Sequence, residues 1–427
     1  MSALNPVTPR RWRQLWYVPL LSLAMALMMA RTLIMAKILD IPGFAQFSAG
    51  QLASSTFCML GCLGLYPLLQ RELPVQIVRH RERVGAILLA QCLVVAAACA
   101  LLGIVLATAG VSVMGLSPAL LAIGLLHGLS QQVFLAVTLD SRSRGQPLQF
   151  ALQNLERAAT ALAVGCGVGL VLESAAAVLL AEAAVSLLLT LKTMRGVLRR
   201  SRLKATVVIL LATRRMGRIP WSSAMALMAV LLVAFAFLNA DRWVAAQLLQ
   251  SAAFALYAFA WTLLLVAQSM QAVINASFFP LLARRLASTG SATAFRLCAR
   301  ASIGLLLAFA LVSWPAGWLL EVAVLRWFPA YADATSIIGI FLWVAALRIS
   351  DFWGSYLIIV GKEKRLLLVY LGIGILVFAA WMYRVNLWAN QVITIGDIAW
   401  LAVALSVAGY IASVLTAWSA KRGQQRC

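Results

Sequence analysis

The sequence predicts an all-α polytopic membrane protein of about twelve transmembrane helices, in two six-helix lobes related by a parallel pseudo-two-fold repeat. Hydrophobic residues make up 63% of the 427 residues and charged residues only 11%, whereas soluble proteins carry roughly 25% charged residues. Apolar runs recur that are long enough to cross a membrane, which takes about 20 helical residues. One segment also recurs at an offset of 210 residues, close to half the chain.

The apolar runs predict twelve helices, because backbone groups in lipid must be satisfied within each spanning segment. They cover residues 15–38, 45–69, 85–110, 117–139, 149–172, 175–194, 220–240, 247–275, 301–320, 334–360, 366–383 and 397–418. The longest polar break separates six helices from six. We therefore expect an N-terminal lobe of residues 1–194, a basic cytoplasmic linker of residues 195–218 and a C-terminal lobe of residues 219–427.

The repeat joins two stretches at equivalent positions of the lobes. Residues 36–48, AKILDIPGFAQFS, align without gaps with residues 246–258. The matched pairs are Ala36 and Ala246, Leu39 and Leu249, Phe44 and Phe254, Ala45 and Ala255, and Phe47 and Tyr257. Two halves in parallel orientation are typical of transporters whose repeats move about a central site.

Basic residues are concentrated in alternate connections between the predicted helices. These connections, including both termini, hold 28 of the 35 Lys and Arg residues. The opposite connections hold only Lys37, Arg242, Arg326 and Arg384. Basic loops stay on the cytoplasmic side, so we expect a multi-pass membrane protein with both termini cytoplasmic. This bias accounts for the net charge of +22 without a nucleic-acid partner.

The N-terminal apolar run follows a basic stretch, as a signal peptide would. It is longer than a typical signal-peptide core, and its outer end belongs to the repeat, so we expect a retained first helix. No GxxxxGK[ST] loop occurs, and the cysteines form no CxxC pair or zinc-ligand spacing. The predicted outward loops are short. We therefore expect a transporter without cofactor or metal rather than an enzyme, with a membrane glycosyltransferase or polymerase as the less favoured alternative.

Short motifs distinguish two classes of twelve-helix transporter. Major facilitators normally carry GxxxDRxGRR between helices 2 and 3, and the loop LLQRELPVQIVRHRER lacks this pattern. The stretch DRWVAAQLLQSAAFALYAFA resembles the segment spanning helices 7 and 8 of Wzx-type flippases, which belong to the multidrug/oligosaccharidyl-lipid/polysaccharide (MOP) flippase superfamily. AKILDIPGFAQFS, INASFFPLLARRLA and IIVGKEKRLLLVYLGIGI are similar to that family's helix 1–2 junction, helix 8 exit and helix 10–11 junction. Ala255 stands where many members have glycine.

The resemblance implies a flippase that moves an undecaprenyl-diphosphate-linked oligosaccharide from the cytoplasmic to the periplasmic leaflet by alternating access. Such a protein serves the synthesis of surface polysaccharide, either O-antigen, capsule or exopolysaccharide. Its implied partners are the lipid-linked oligosaccharide, membrane lipid, a polysaccharide polymerase or assembly protein, and H⁺ or Na⁺. The alternative is a cation-coupled multidrug or toxin exporter of the same superfamily, which needs a compact acidic cation site.

Arginines inside predicted helices are the candidate cationic contacts for a diphosphate or acidic sugars, because intramembrane charges usually face an interior or a partner. They are Arg31, Arg157 and Arg348. Arg31 and Arg157 have snorkelling to the membrane surface as an alternative. For Arg348 the alternative is a self-neutralising pair with Asp351, which lies three residues further along the same predicted helix and therefore on the same face.

Uncharged polar residues add a second candidate surface. Gln268, Gln271 and Asn275 recur at i, i+3 and i+7 and share one face of predicted helix 8. Such a stripe suits either sugar hydroxyls or hydrogen bonds between helices.

Four ionisable residues are candidate carriers of a coupling ion: Glu182, Asp351, Asp241 and His127. Glu182 has no basic neighbour in its own helix, so it is either protonated or paired across helices. His127 fits either a neutral, hydrogen-bonded histidine or a proton relay. Asp241 and Arg242 are predicted at the outer end of helix 7, where helix capping and interface anchoring are the alternatives.

Overall fold

A computed structural model describes residues 16–110, 116–387 and 393–424, and in these ranges the chain is helical and contains no strand. The helices are α1 (Tyr17–Ile38), α2 (Ile41–Leu60), α3 (Leu65–Val78), α4 (Glu82–Thr108), α5 (Pro118–Ser143), α6 (Pro147–Leu172), α7 (Ala175–Ser201), α8 (Ala205–Arg214), α9 (Trp221–Leu248), α10 (Ser251–Thr289), α11 (Ser291–Trp327), α12 (Thr335–Ser350), α13 (Trp353–Ile359), α14 (Glu363–Leu387) and α15 (Ile395–Gln424). Short 3-10 helices lie at Met216–Arg218 and Pro329–Ala334.

Within the described residues, ten helical segments are long and apolar enough to cross a membrane, and the bent pair of α2 and α3 makes eleven. Ser251–Leu265 of α10 is a further apolar helical stretch, and it corresponds to the predicted helix 247–275. The predicted all-α membrane fold of about twelve spans is therefore confirmed.

Two compact units make up the chain, Met1–Leu232 and Val233–Cys427. In the first unit α2 and α4 pack against α5, and both α5 and α6 pack against α7. In the second unit α10 and α11 pack against α12, and both α12 and α14 pack against α15. Within each unit, the corresponding helices therefore pack in the same pairs, as the predicted repeat requires. The lobe boundaries at 194 and 219 stay a prediction.

The predicted helix 45–69 is interrupted in the structure. α2 and α3 are bent by 53°, and Gly64 between them has a φ of +78°. Glycine adopts this conformation without a steric cost because it has no Cβ. A Cβ at Gly64 would lie 1.8 Å from the carbonyl oxygen of Ala224. The bend therefore allows the backbone of the second span to touch the first turns of α9.

Two other predicted helices differ in the structure, one by an internal break and one by its end. The predicted helix 334–360 breaks after Ser350, and Asp351 follows the end of α12 instead of lying mid-helix. The Oδ1 atom of Asp351 accepts a hydrogen bond from the backbone N–H of Trp353 at 3.2 Å. Trp353 is the first residue of the next helix, α13. The predicted helix 220–240 continues to Leu248, so Asp241 lies inside the helix and the end-capping alternative is wrong.

We expect Gly64→Ala to lower the melting temperature of the purified protein in detergent. A positive φ alone costs a non-glycine residue about 1–2 kcal/mol, and the contact with Ala224 adds a steric cost. Gly145→Ala is the matched control, because Gly145 has a φ of +68° but no neighbour within 4 Å of its Cβ position. Thermal unfolding should show a clearly larger loss for Gly64→Ala, and equal losses would contradict the close contact.

Candidate functional site

A buried ion pair joins two helices of the first unit. Nη1 of Arg31 on α1 lies 2.7 Å from Oε2 of Glu182 on α7, and the two side chains are 4% and 1% exposed. Nε2 of His127 on α5 lies 3.2 Å from the same Oε2. Nδ1 of His127 lies 2.9 Å from Oγ of Ser54 on α2. Four helices thus meet in one polar group, the first-unit cluster of Arg31, Ser54, His127 and Glu182.

Small and aromatic neighbours shape this cluster. A Cβ on Gly165 of α6 would lie 2.8 Å from Oε1 of Glu182, so glycine leaves room for the carboxylate between α6 and α7. The ring of Phe47 on α2 lies 5.7 Å from Cζ of Arg31, within the range of a cation–π contact. Nε of Arg31 and Oε1 of Glu182 have no hydrogen-bond partner in the structure. The cluster is therefore charge-balanced at its centre but retains unused donor and acceptor atoms.

Among the described residues, the short-range contacts of Arg157 on α6 are with uncharged groups. Its Nε donates to Oγ of Ser186 on α7 at 3.2 Å, and its guanidinium carbon lies 4.8 Å from the ring centroid of Phe134 on α5. The adjacent Glu156 is exposed, since neighbouring residues on a helix point in different directions. Arg157 therefore lies between helices with its charge directed away from Glu156.

In the second unit, Asp241 is fully buried. Its Oδ2 accepts a hydrogen bond from the hydroxyl of Tyr257 on α10 at 2.6 Å, and its Oδ1 has no partner in the structure. The guanidinium of the adjacent Arg242 lies 3.9 Å from the ring centroid of Trp261, which is also on α10. Both residues of this charged pair therefore face α10.

The contact between Asp241 and Tyr257 repeats one in the first unit. Arg31 and Phe47 occupy the equivalent positions, 210 residues earlier, and they also contact each other. In each unit, then, the first spanning helix places a charged residue against an aromatic residue of the second. The two halves keep the geometry of the repeat while exchanging a cation–π contact for a hydrogen bond.

Arg348 on α12 is buried beside a cavity of the second unit. It is 7% exposed, and its Nε donates to Oγ of Ser406 on α15 at 3.3 Å. Its Nη1 and Nη2 have no hydrogen-bond partner in the structure. Arg348 and Asp351 both line a cavity of about 170 Å³. No ion pair joins them among the described residues, so the predicted self-neutralising pair is absent there.

The carboxylate of Asp351 faces hydroxyl groups rather than the arginine. Its Oδ2 accepts from Tyr370 on α14 and from Ser413 on α15, both at 3.4 Å, and the two hydroxyls also bond each other at 2.7 Å. The helix break explains this arrangement. Residues three apart lie on the same face only within one continuous helix. Because Asp351 lies past the end of α12, its side chain is not placed beside Arg348.

Two residues of the predicted polar stripe, Gln271 and Asn275 on α10, form hydrogen bonds with residues at the break between α12 and α13 and in α13. Nε2 of Gln271 donates to the backbone oxygen of Asp351 at 3.1 Å, and Oδ1 of Asn275 accepts from Oγ of Ser355 at 2.8 Å. The side chain of Gln268 lies outside the described residues. Gln271 also lines the cavity of Arg348. For Gln271 and Asn275 the structure therefore shows the hydrogen bonds between helices that were one of the two alternatives.

Sequence reasoning overlooked the hydroxyl partners of the charged residues. Ser54, Tyr370, Ser406 and Ser413 are common residue types in membrane helices and carry no distinctive spacing. Tyr257 is the exception, because it aligns with Phe47 in the repeat and adds a hydroxyl to an otherwise equivalent ring. The added hydroxyl of Tyr257 could have indicated a polar partner on the preceding helix, where Asp241 lies.

We expect Glu182→Gln to destabilise the protein, because it leaves Arg31 charged and buried without its partner. Breaking a buried ion pair from one side costs about 3–5 kcal/mol, whereas replacing both partners with apolar groups costs far less. The double variant Arg31→Met with Glu182→Leu should therefore melt at a higher temperature than Glu182→Gln. Glu156→Gln, at an exposed carboxylate on α6, is the control and should melt like the wild type. A double variant less stable than Glu182→Gln would contradict the pairing.

No protein-family model and no curated protein sequence matches this chain. Solved structures match it over nearly its whole length. The eukaryotic MATE transporter AtDTX14 has 12% identity and a TM-score of 0.55, with 98% of this chain and 99% of that chain covered. A MATE protein in complex with MaL6 has 10% identity and a TM-score of 0.58, over 96% and 95%. The Vibrio cholerae MATE transporter VcmN in the bent form has 17% identity and a TM-score of 0.53, over 97% of each chain. The chain therefore has the fold of the MATE transporters.

Proposed function

We propose that the protein is a transporter of the MOP superfamily that flips an undecaprenyl-diphosphate-linked oligosaccharide from the cytoplasmic to the periplasmic leaflet. A MATE fold and the resemblance of residues 241–260 to Wzx-type flippases both support the proposal. The observation that carries it is Arg348, whose two terminal nitrogens are buried without partners beside a cavity. The oligosaccharide would serve surface polysaccharide synthesis at the bacterial inner membrane, beside a polymerase or assembly partner.

The buried charges favour an anionic substrate. Arg31 is neutralised by Glu182. In the part of the chain that the structure describes, Arg348 donates through Nε to a serine and forms no ion pair, and the short-range contacts of Arg157 are uncharged. Asp241 acts on Arg348 only at longer range than an ion pair, and a cation among membrane helices without a directly bonded carboxylate costs free energy until an anion joins it. A diphosphate supplies adjacent oxygens that a guanidinium binds through two parallel hydrogen bonds. The same arginines would repel a cationic substrate.

The direction of transport follows from the charge of the head group. An inside-negative potential favours outward movement of an anion by about 2.3 kcal/mol per charge per 100 mV. The outward step thus needs no coupled ion. Return of the empty protein is the step that a proton would assist, with Glu182 or Asp351 as carrier. His127 and Asp241 contribute through their contacts with Glu182 and Tyr257.

We expect Arg348→Ala to slow flipping of fluorescent undecaprenyl-diphosphate-linked sugar in proteoliposomes by about tenfold or more, because a hydrogen bond to a charged group contributes about 1.5–3 kcal/mol. Arg348→Lys should retain part of the rate, since lysine keeps the charge but loses the two-pronged geometry. Arg285→Ala removes an exposed arginine of α10 and should leave the rate unchanged. A wild-type rate in Arg348→Ala would refute the assignment of this residue.

A cation-coupled multidrug exporter of the same superfamily is the second candidate, and Asp351 favours it. This carboxylate lies at a break in a spanning helix and lines a cavity, as do many ion sites in transporters with discontinuous helices.

The two candidates differ in what drives transport. For a flippase, lipid transfer should respond to the membrane potential and persist when the pH and Na⁺ gradients are dissipated. For an exporter, the lipid should not move, and a cationic dye should accumulate only with an ion gradient. Asp351→Asn should then abolish dye accumulation. Measuring both substrates in the same proteoliposomes separates the two, and gradient-dependent dye transport without lipid transfer would replace our first proposal.

A further inference from the structure

A polar cavity of about 440 Å³ lies among α5, α6 and α7 of the first unit. Its volume falls within the range of small-molecule sites, about 300–1,000 Å³. Gln146 and Arg200, which line it, belong to the two basic segments that the charge bias predicts on the cytoplasmic side. We call it the α6 cavity, because Gln149, Gln153 and Glu156 of α6 line it at one face of that helix.

The polar side chains of α6 form one row along the cavity. Gln149 and Gln153 are four residues apart, so they share a face of the helix, and both line the cavity. Nε2 of Gln153 donates to Oγ1 of Thr193 on α7 at 3.1 Å. This bond fixes the amide, and its buried Oε1 has no hydrogen-bond partner in the structure. The cavity therefore contains an acceptor that is already oriented and that lacks a donor.

The charge of the cavity wall distinguishes between classes of ligand. Asp140 and Glu156 are balanced by Lys192 and Arg200, all of which line the cavity, and Arg200 donates to Asp140. A phosphate would need a net positive wall and a cation a net negative one. A neutral wall with several carboxamides offers both donors and acceptors, which is what sugar hydroxyl groups require.

The position of Arg157 connects this wall with the anionic part of the substrate. Arg157 follows Gln153 by one turn of α6, and its guanidinium lies over Phe134, whose side chain also lines the cavity. A ligand bound against Gln149 and Gln153 therefore extends at one end toward a half-buried cation.

We propose that the α6 cavity binds the sugar nearest the diphosphate while the lipid-linked substrate is in the cytoplasmic leaflet. The carboxamides of Gln149 and Gln153 bond its hydroxyl groups, and Arg157 receives the adjacent phosphate. This inference rests on the proposed function, because it assigns the sugar-recognition part of the same transport cycle. It places selection for the glycan on the cytoplasmic side, before any movement of the two units.

The test compares binding of two kinds of lipid by the purified full-length protein. The probes are undecaprenyl diphosphate without sugar and undecaprenyl diphosphate carrying glucose, galactose or N-acetylglucosamine. At least one sugar-bearing probe should bind the wild type more tightly than the bare lipid. The double variant Gln149→Leu with Gln153→Leu should lose about 3- to 10-fold in affinity for each amide removed, and its affinity for the bare lipid should not change.

Two further variants separate sugar recognition from folding. Thr193→Val removes the hydroxyl that orients Gln153 with little change in size, and it should weaken the sugar preference without affecting the bare lipid. Gln70→Leu replaces an exposed glutamine of α3 that lies outside the cavity, and it should retain the full preference. Thermal unfolding of each variant in detergent identifies any that are misfolded. If the double glutamine variant is misfolded, the sugar preference of Thr193→Val decides whether the inference holds.

The outcomes distinguish this inference from the proposed function. If the bare lipid binds and Arg348→Ala weakens it, but no probe is preferred for its sugar, the α6 cavity is not a sugar site. An unchanged preference in the double variant overturns the inference in the same way. If no lipid binds at all, the proposed function itself fails, and this inference fails with it.

Discussion

The cost of an ionised side chain between membrane helices is the constraint on which both units depend. Arg31 satisfies it through Glu182, and that single contact joins α1 to α7, helices far apart in the chain. His127 and Ser54 extend the same group of contacts to α5 and α2. A lipid-facing surface cannot supply such partners, so the helices carrying these residues must enclose them. The first-unit cluster thereby determines which faces of four helices point inward.

Interruptions in the helices position the remaining polar groups. The backbone at Gly64 turns where no side chain would fit, and this turn lets the second span meet the start of α9. The break after Ser350 turns Asp351 away from Arg348 and toward the hydroxyls of α14 and α15. As a result, Arg348 keeps two free donors beside a cavity instead of forming an internal pair. A continuous helix would have placed Asp351 on the same face as Arg348.

The two units share one order of helix packing but carry different chemistry. Arg31 and Asp241 are equivalent by sequence, and each contacts an aromatic residue of the following helix. In the first unit the charge is neutralised by a carboxylate, whereas in the second a tyrosine hydroxyl partly satisfies one oxygen. The amide-lined α6 cavity lies in the first unit and the unpaired Arg348 in the second.

The sequence by itself determined the all-α membrane class, the approximate number of spans and the repeat. These follow from the length of apolar runs and the spacing of similar residues, which are local or periodic properties of the chain. Charged residues such as Arg31, Glu182 and Arg348 were also recognisable, because ionised groups are rare in apolar runs. Their partners were not, since Glu182 lies 151 residues from Arg31 and no spacing rule links them. Only the tertiary structure decided that Asp351 follows a helix end, that Asp241 is buried within α9, and that the glutamines of α6 line a cavity. Each depends on how helices bend and approach one another, which close packing sets and local sequence does not.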